Sequence, residues 1–186
     1  MQRPITIAGI SGSLRKDSFN TAALQAATEL APEGVTVAMH TLHDIPLFNE
    51  DVEAKGWPDA VAELREKVAP ADGVLFATPE YNYSIPGVLK NAIDWLSRPT
   101  GEGVITGKPA AVLGASPSPF GTVRAQSHLR QVLFYNSMPT LAGAEVMIMK
   151  ADSKIEDGRL VDEESRGFVQ TLMEKFAGWV RFHVPE

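Results

Sequence analysis

Residues 9–20 read Gly-Ile-Ser-Gly-Ser-Leu-Arg-Lys-Asp-Ser-Phe-Asn and lie between an apolar run and a segment of helical period. A helix start presents unpaired backbone N–H groups and the positive end of the helix dipole, and glycine lets the backbone approach a ligand. Neutral hydrogen-bonding groups come from four side chains, Ser11, Ser13, Ser18 and Asn20. Arg15 adds a forked cation suited to phosphate. The stretch therefore predicts a phosphate pocket, with an ordinary serine-rich turn as the alternative.

A second stretch, residues 79–87, reads Pro-Glu-Tyr-Asn-Tyr-Ser-Ile-Pro-Gly and follows another apolar run. Two aromatic side chains, an amide and backbone N–H groups held between prolines suit the edge and face of a flat heteroaromatic ring. Tyr81 and Tyr83 could instead pack on the following helix, and Asn82 could serve only to form the turn. We expect Glu80 to be a solvated or arginine-paired carboxylate without a chemical part.

Three loops, at residues 11–20, 79–87 and 116–121, converge if the apolar runs form one parallel sheet, because ligands of such sheets bind beyond the carboxyl ends of the strands. A phosphate pocket beside a surface for a planar ring describes a mononucleotide site. FMN fits best, because the first loop has neither the Gly-x-Gly-x-x-Gly spacing of dinucleotide-binding proteins nor the Gly-Lys-Ser/Thr of a P-loop. Neighbouring loops would also allow an ion pair between Arg15 and Glu80, which we state as a hypothesis.

A sheet must position these loops, and apolar runs do alternate with segments of helical period along the 186 residues. They predict five strands, at about residues 5–10, 35–41, 73–78, 110–115 and 145–149. The second run alternates apolar and polar residues, as an edge strand does, whereas the first, third and fourth are apolar almost throughout, as central parallel strands are. The sequence therefore predicts one α/β domain over residues 1–186. Its sheet would be flavodoxin-like, doubly wound and parallel, with the order 2-1-3-4-5 and helices on both faces.

Segments with a period of 3.6 residues predict the flanking helices. They cover about residues 18–30, 58–68, 88–96, 122–135 and 164–182. In the last helix the side chains expected to be buried are Phe168, Val169, Leu172, Met173, Phe176, Trp179 and Val180. Residues 42–57 contain a proline and isolated acidic residues, which predicts a solvated surface loop.

Composition and charge exclude several other classes of protein. The net charge of -6 is spread along the chain, which disfavours nucleic acid and anionic membranes as partners. No stretch approaches the roughly 20 apolar residues of a membrane span, so we expect a cytoplasmic protein. Cysteine is absent, which excludes the thiolate of the phosphatases and arsenate reductases that use a similar phosphate loop. His40, His43 and Asp44 lack a convincing further ligand, so no metal site is predicted.

Three motifs resemble the signatures of the NADPH-dependent FMN reductase family, which includes quinone, chromate and azo-dye reductases. They are residues 12–20, residues 79–87 and the helix start at 90–95, Lys-Asn-Ala-Ile-Asp-Trp. The likeness extends through residues 114–131 and covers most of the chain up to about residue 150. It implies a flavodoxin-like fold with noncovalently bound FMN and with NADPH or NADH as the hydride donor.

The resemblance also implies roles for particular residues. Four side chains would surround the FMN phosphate: Ser13, Arg15, Ser18 and Asn20. Five residues would line the isoalloxazine ring: Pro79, Glu80, Tyr81, Asn82 and Tyr83. Ser116 would close the site from the loop after the fourth strand. The chain departs from the family near Ser118, where glycine is common, because it reads Ser-Pro-Ser-Pro-Phe over residues 116–120; Phe120 and this stiffer turn bear on substrate access rather than on FMN.

The predicted reaction has two steps, in which hydride passes from NAD(P)H to FMN and the electrons then pass to a quinone, free flavin, azo compound or metal oxyanion such as chromate. The cofactor carries this chemistry, and no side-chain acid or base is clearly required. A flavodoxin-type electron carrier that does not itself oxidise NAD(P)H is the alternative, and a flavin-free regulatory domain is a third possibility. The resemblance further implies a small-molecule acceptor and a homodimer or homotetramer.

Overall fold

The computed structural model describes residues 3–184. The chain begins with β1 (Ile5–Ser11), α1 (Phe19–Glu29), β2 (Val35–His40), α2 (Glu50–Glu53), α3 (Asp59–Val68), β3 (Gly73–Ala77) and α4 (Gly87–Leu96). It continues with β4 (Ala110–Ala115), α5 (Val123–Tyr135), β5 (Val146–Ile148), a 3-10 turn (Ala151–Ser153), β6 (Ile155–Glu156), β7 (Arg159–Leu160) and α6 (Glu163–His183). Strands and helices thus alternate along most of the chain, as the hydrophobic periodicity predicts.

Strands β1 to β5 form one parallel sheet in the order β2-β1-β3-β4-β5, which confirms the predicted topology. Every residue of β3 and β4 is buried, because both faces of these strands are covered. The edge strand β2 keeps a partly exposed pattern, in which only Val37 is fully buried. The chain adds β2 on one side of β1 and then adds β3 on the other side, so the strand order reverses between β1 and β3. The loops after these two strands meet at that point.

Two hydrophobic cores enclose the sheet. Helices α1 and α6 cover one face, where Leu24 and Phe176 are fully buried. Helices α3, α4 and α5 cover the other face, where Phe76 and Leu89 are fully buried. The predicted placement of helices on both faces is therefore correct. Among residues 3–184, no helix combines the length and the apolar character that crossing a bilayer requires.

The segment 42–57 is mostly exposed, as predicted for a surface loop, but it is more ordered than that prediction implies. It contains the short helix α2, and it is fixed to α4 through hydrogen bonds from Asn91 Nδ2 and Trp95 Nε1 to the carbonyl of Pro46, both 2.8 Å long. Arg98 also donates to Glu53 Oε2 at 2.9 Å. The sequence does not indicate the two contacts with Pro46, because their acceptor is a backbone carbonyl, a group that every residue carries.

The C-terminal part of the chain holds two further differences. The hairpin β6–β7 was not predicted, since strands of two residues carry no measurable periodicity. In α6 the side chain of Phe168 is 54% exposed, so its expected burial was wrong, whereas Val169, Leu172 and Phe176 are buried as predicted. The N-terminal turns of α6 are themselves covered, since Ser165 and Val169 are buried, and Phe168 lies beside this buried stripe and faces solvent.

Candidate phosphate and ring site

The loop after β1 is pressed against the end of β3. Gly12 N donates to Ala77 O at 2.8 Å, and a Cβ atom at Gly12 would lie 3.1 Å from that oxygen and 3.3 Å from Pro79 Cδ. Only glycine allows so close an approach without displacing the neighbours. The first and second loops are thereby brought side by side at the carboxyl edge of the sheet.

Three hydroxyl groups shape the phosphate loop, and their residues are all buried. Ser11 Oγ lies 2.7 Å from Thr21 Oγ1, and Ser13 Oγ accepts a hydrogen bond from Arg15 N at 3.3 Å. Ser18 caps α1 by accepting a hydrogen bond from Thr21 N at 3.2 Å. Among the described residues, the first-turn N–H groups at positions 19 and 20 have no acceptor, so they are free for an external anion.

Asn20 is buried and bridges α1 to β4. Its Nδ2 donates to Ala115 O and its Oδ1 accepts from Ala115 N, both at 2.9 Å. These two bonds occupy both ends of the amide and fix the first loop relative to the loop that begins at Ser116. Its predicted contact with phosphate gains no support from this geometry, which instead gives Asn20 a bracing role within the site.

Arg15 lies on the exposed rim of the phosphate loop. Its Nη2 donates to Asp17 O at 3.2 Å, and its guanidinium carbon lies 5.3 Å from the centre of the Phe19 ring. The guanidinium therefore keeps free donors beside the start of α1. The hypothesis that Arg15 pairs with Glu80 was wrong, because Glu80 is engaged by another arginine.

Glu80 connects the second loop to the N-terminus of α5. Its Oε1 accepts from Arg124 Nη1 at 2.7 Å, and its Oε2 accepts from the backbone N of Arg124 at 3.0 Å and of Ala125 at 3.2 Å. Burial would raise the pKa of Glu80, but these hydrogen bonds and the charge of Arg124 outweigh that effect and lower it. The residue before α5, Thr122, has a left-handed backbone and makes no capping bond, so Glu80 supplies the cap. Glu80 is thus an arginine-paired carboxylate, as expected.

Residues 81–84 form a tight turn in which Tyr81 and Ser84 exchange two backbone hydrogen bonds of 3.0 Å. Asn82 and Tyr83 have φ values of 50° and 65°, the left-handed conformation of both central residues of a type I′ turn. Among the described residues, their N–H groups have no acceptor within the chain. Tyr81 and Tyr83 are 50% and 67% exposed, so the turn presents two aromatic rings and two free N–H groups to a ligand.

Two features of this region were missed by sequence reasoning. His128, on the exposed side of α5, contacts the second loop, since its Nδ1 lies 3.0 Å from Ser84 Oγ. Arg124 joins Glu80, Tyr83 and Phe120, although its position within a helical segment gave no hint of this. The available signal was the spacing of four residues between Arg124 and His128, which places both on one side of α5.

The third loop follows β4 and lies beside the other two. A Cβ atom at Gly114 would lie 1.8 Å from Thr122 Oγ1 and 2.7 Å from Thr78 O, so the ends of β3 and β4 pack closely around this glycine. Ser116 Oγ lies 3.0 Å from Ser118 Oγ and is partly exposed. The structure therefore brings together the three predicted loops at one edge of the sheet.

These residues fit FMN. A phosphate would find free N–H groups at the start of α1, hydroxyl groups and an arginine, which are the groups that bind phosphate in proteins. A planar ring would find the second loop, where Pro79 is buried and the N–H groups of Asn82 and Tyr83 are free. The glycine contact at position 12 keeps these two parts adjacent.

The histidine group near β2 lies apart from these loops. Within residues 3–184, no three histidine, aspartate or glutamate side chains are arranged to hold a metal ion. His40 and His43 instead line a cavity of about 310 Å³ with Lys67 of α3. Burial and the charge of Lys67 lower the pKa of His40.

The sheet order defines a flavodoxin-like protein, and the three loops at the switch point of its sheet form a candidate mononucleotide site. Comparison with known proteins gives the family: the model of NADPH-dependent FMN reductases matches residues 5–153. The chain belongs to this family, whose members use FMN with NAD(P)H as the electron donor, so the resemblance noted in the sequence is confirmed.

Several relatives are similar over their full length. An NAD(P)H-dependent FMN reductase of Pseudomonas aeruginosa is 51% identical over 97% of this chain and 98% of its own. A 2-hydroxy-1,4-benzoquinone reductase of a Burkholderia species is 42% identical over 95% of this chain and 97% of its own. Among solved structures, the flavoenzyme FerB of Paracoccus denitrificans, an NAD(P)H:(acceptor) oxidoreductase, is 38% identical with a TM-score of 0.84, covering 96% of this chain and 98% of its own.

Proposed function

We propose that this protein is an FMN-dependent NAD(P)H:quinone oxidoreductase that works by a ping-pong cycle in the cytoplasm. One observation carries the proposal. The loop after β1 offers free helix N–H groups with Arg15, and beside it the turn at residues 81–84 offers two aromatic rings with free N–H groups. Relatives named as quinone reductases support a quinone as acceptor.

The overall reaction balances without any further reactant. NAD(P)H gives up a hydride, which is two electrons and one proton, and a quinone takes up two electrons and two protons to become a hydroquinone, with the second proton coming from water. When bound, FMN supplies the chemistry of accepting the hydride and passing the electrons on. The protein binds and orients the reactants and tunes their electrostatics.

The phosphate end of the site would anchor the cofactor. The N–H groups at the start of α1, with Ser13 and Ser18 beside them, would donate to phosphate oxygens, as would the guanidinium of Arg15. Ser11 lies deeper and is bonded to Thr21, so we assign it to the support of the loop. Asn20 would act through its bonds to Ala115, which hold Ser116 at the far side of the site.

The turn at residues 81–84 would stabilise the charge that the ring of the cofactor gains on reduction. The N–H groups of Asn82 and Tyr83 would point towards the N1–C2=O edge of the ring and stabilise the negative charge that develops there on reduction. Pro79 and the two tyrosines would supply apolar surface to the ring. Glu80 would hold this turn against α5 through Arg124, without touching the reacting atoms.

An electron carrier of the flavodoxin type is the alternative function. Such carriers bind FMN but do not oxidise NAD(P)H, and they usually hold the phosphate with neutral groups. The presence of Arg15 on the first loop therefore favours the reductase.

We propose a homodimer or homotetramer as the working form. Phe134 and Tyr135, at the end of α5, are 82% and 79% exposed, which is unusual for neighbouring aromatic residues on a monomer. Light scattering coupled to size-exclusion chromatography tests this directly. A mass of 20.1 kDa, that of one chain, would contradict the proposal.

Turnover tests the proposed activity. Purified protein mixed with FMN, NADPH and a quinone should oxidise NADPH at a rate proportional to protein concentration. A yellow protein that does not oxidise NADPH would instead support the carrier, and a colourless protein that refuses FMN would support a flavin-free domain. Free flavin, an azo dye and chromate, each offered in place of the quinone, would define the range of acceptors.

A further inference from the structure

The turn between β4 and α5 holds Phe120 in a fixed place at the edge of the site. Ser116 Oγ accepts a hydrogen bond from Ser118 N at 3.1 Å, and Ser118 Oγ accepts one from Phe120 N at 3.3 Å. Pro117 and Pro119 restrict φ at the alternate positions. Because the backbone is already ordered, presenting the Phe120 ring to a ligand costs little further entropy.

A single arginine links this ring to the second loop. The guanidinium carbon of Arg124 lies 4.5 Å from the centre of the Phe120 ring and 3.9 Å from that of Tyr83. Its Nη1 also donates to Glu80 Oε1 at 2.7 Å. Phe120 and Tyr83 are therefore held on opposite loops of the same site by one planar cation.

The resulting surface is aromatic and nearly neutral. Phe120, Tyr81 and Tyr83 are 52%, 50% and 67% exposed, so three rings face solvent around the place proposed for the flavin ring. A cluster of exposed aromatic groups beside the proposed ring site favours contact with a ligand. The positive charge of Arg124 is compensated by Glu80 at 2.7 Å, so this wall attracts anions weakly.

We propose that Phe120 is a specificity-determining residue of the acceptor site, where its ring favours flat aromatic acceptors over compact anions. The inference rests on the proposed oxidoreductase function. A quinone presents a flat face that can stack on the ring, in an offset or edge-to-face arrangement. A compact anion has no such face, and it gains nothing from a wall whose charge is already paired.

The oxidative half-reaction tests this inference without NAD(P)H. FMN-loaded protein is reduced with one equivalent of dithionite, mixed with an acceptor, and followed by the return of flavin absorbance. In Phe120→Ala the second-order rate constant for 1,4-naphthoquinone should fall about fivefold, within the range that an aromatic contact contributes. The constant for ferricyanide should change by less than about twofold. Phe120→Tyr, which keeps a ring, should stay within about twofold of the parent for both acceptors.

A binding measurement provides a second readout that involves no turnover. The flat, non-reducible 2-naphthol should perturb the flavin spectrum of the oxidised protein, and its Kd should rise about fivefold in Phe120→Ala. Phe168→Ala serves as the matched control, because Phe168 is 54% exposed and lies on α6, outside the three loops. This control should leave both measurements unchanged.

Equal losses for naphthoquinone and ferricyanide, an unchanged Kd for 2-naphthol, or the same losses in Phe168→Ala would overturn the role of Phe120. Failure of the proposed function is a separate result. A protein that accepts electrons from dithionite but never from NAD(P)H would refute the oxidoreductase and leave the comparison at Phe120 intact.

Discussion

Arg15 is the cation of the first loop whose guanidinium lies beside the start of α1, with its Nη2 on Asp17 O and its guanidinium carbon 5.3 Å from the centre of the Phe19 ring. We expect Arg15→Ala to weaken FMN binding about tenfold to hundredfold, because a hydrogen bond to a charged group is worth about 1.5–3 kcal/mol and about 1.4 kcal/mol corresponds to tenfold in affinity. Titration followed by flavin fluorescence measures the change. The neighbouring Lys16→Ala is the control for loss of one positive charge, and equal affinities in the two variants would contradict a specific role for Arg15.

Glu80 is expected to stabilise the fold through its charge. Glu80→Gln should lower the free energy of unfolding at pH 7 by about 1–2 kcal/mol, since the ion pair with Arg124 is lost and only one uncharged acceptor oxygen remains for Arg124 and the first turn of α5. Urea denaturation of parent and variant measures the difference. Glu63→Gln is the matched control, because the pair that Glu63 forms with Lys67 is exposed, so this change should lower the free energy of unfolding much less than Glu80→Gln does.

The contribution of Glu80 should also depend on pH with a defined sign. Its pKa is lowered in the folded chain, so the unfolded chain binds the proton more readily. The stabilisation is therefore fully present above the ordinary glutamate pKa of about 4.3 and is lost as the pH falls through the lowered folded value. The difference between parent and Glu80→Gln should shrink over that interval. A difference that stays constant or grows on acidification would contradict the pairing.

At the scale of residues, the sequence shows which side chains could bind a ligand. It does not show which of them are already hydrogen-bonded within the protein. The types and spacing in residues 11–20 predict a phosphate loop, and within residues 3–184 the structure shows free first-turn N–H groups of α1 beside those side chains. The partner of Glu80 was not predictable, because Arg124 lies 44 positions away and is brought near only when α5 packs beside β4. The hydrogen bonds of Asn20 were equally unpredictable, since its partners are the backbone groups of Ala115.

Close packing between the ends of β3 and β4 gives a prediction for the elements. Gly114→Ala should destabilise the fold by more than about 1 kcal/mol, because the new methyl group would lie 1.8 Å from Thr122 Oγ1 and 2.7 Å from the backbone oxygen of Thr78. The change should also weaken FMN binding, since Ser116 follows directly. Chemical denaturation and flavin titration measure the two effects.

Gly178→Ala is the control for this substitution. It lies within α6 with nothing within 4 Å of the added methyl group, so it should stabilise the helix by about 0.5–1 kcal/mol. Two glycine-to-alanine changes in one protein should thus act in opposite directions. Equal effects would mean that the contacts around Gly114 do not control the position of the third loop.

The elements most reliably predicted were those with a clear period. Buried parallel strands give uninterrupted apolar runs, and β4 was predicted at residues 110–115, where it is found. The exposure of the segment 42–57 was predicted but its order was not, because that order comes from Pro46 meeting two side chains of α4, a contact that no local pattern encodes. Phe168 was misplaced because it lies at the boundary of the buried stripe of α6, and periodicity does not show how wide the covered face of a helix is.

For the whole molecule, FMN should stabilise the folded state by mass action. At about 100 times its Kd, FMN adds about 2.7 kcal/mol, which corresponds to a rise in Tm of about 5–10 °C for a chain of this size. Riboflavin lacks the phosphate and should give a smaller shift at the same concentration. Differential scanning fluorimetry or calorimetry compares the two ligands. Equal shifts would contradict a phosphate site in the loop after β1.

The order of the sheet explains why the three loops act together. The order β2-β1-β3-β4-β5 opens a crevice where the chain reverses beyond β1, and the loops after β3 and β4 complete it. That architecture was predictable because alternating apolar runs and helical segments permit few topologies. The chemistry was predictable only through the particular residues of the loops, since the same fold serves many functions.

The central claim is that NAD(P)H and a quinone react in turn with FMN held by these loops, and anaerobic stopped-flow spectroscopy of the FMN-loaded protein tests it most directly. NADPH alone should bleach the flavin absorbance, and a quinone added after removal of NADP⁺ should restore it fully. Bleaching that requires the quinone to be present, or no bleaching by either NADPH or NADH, would contradict this account.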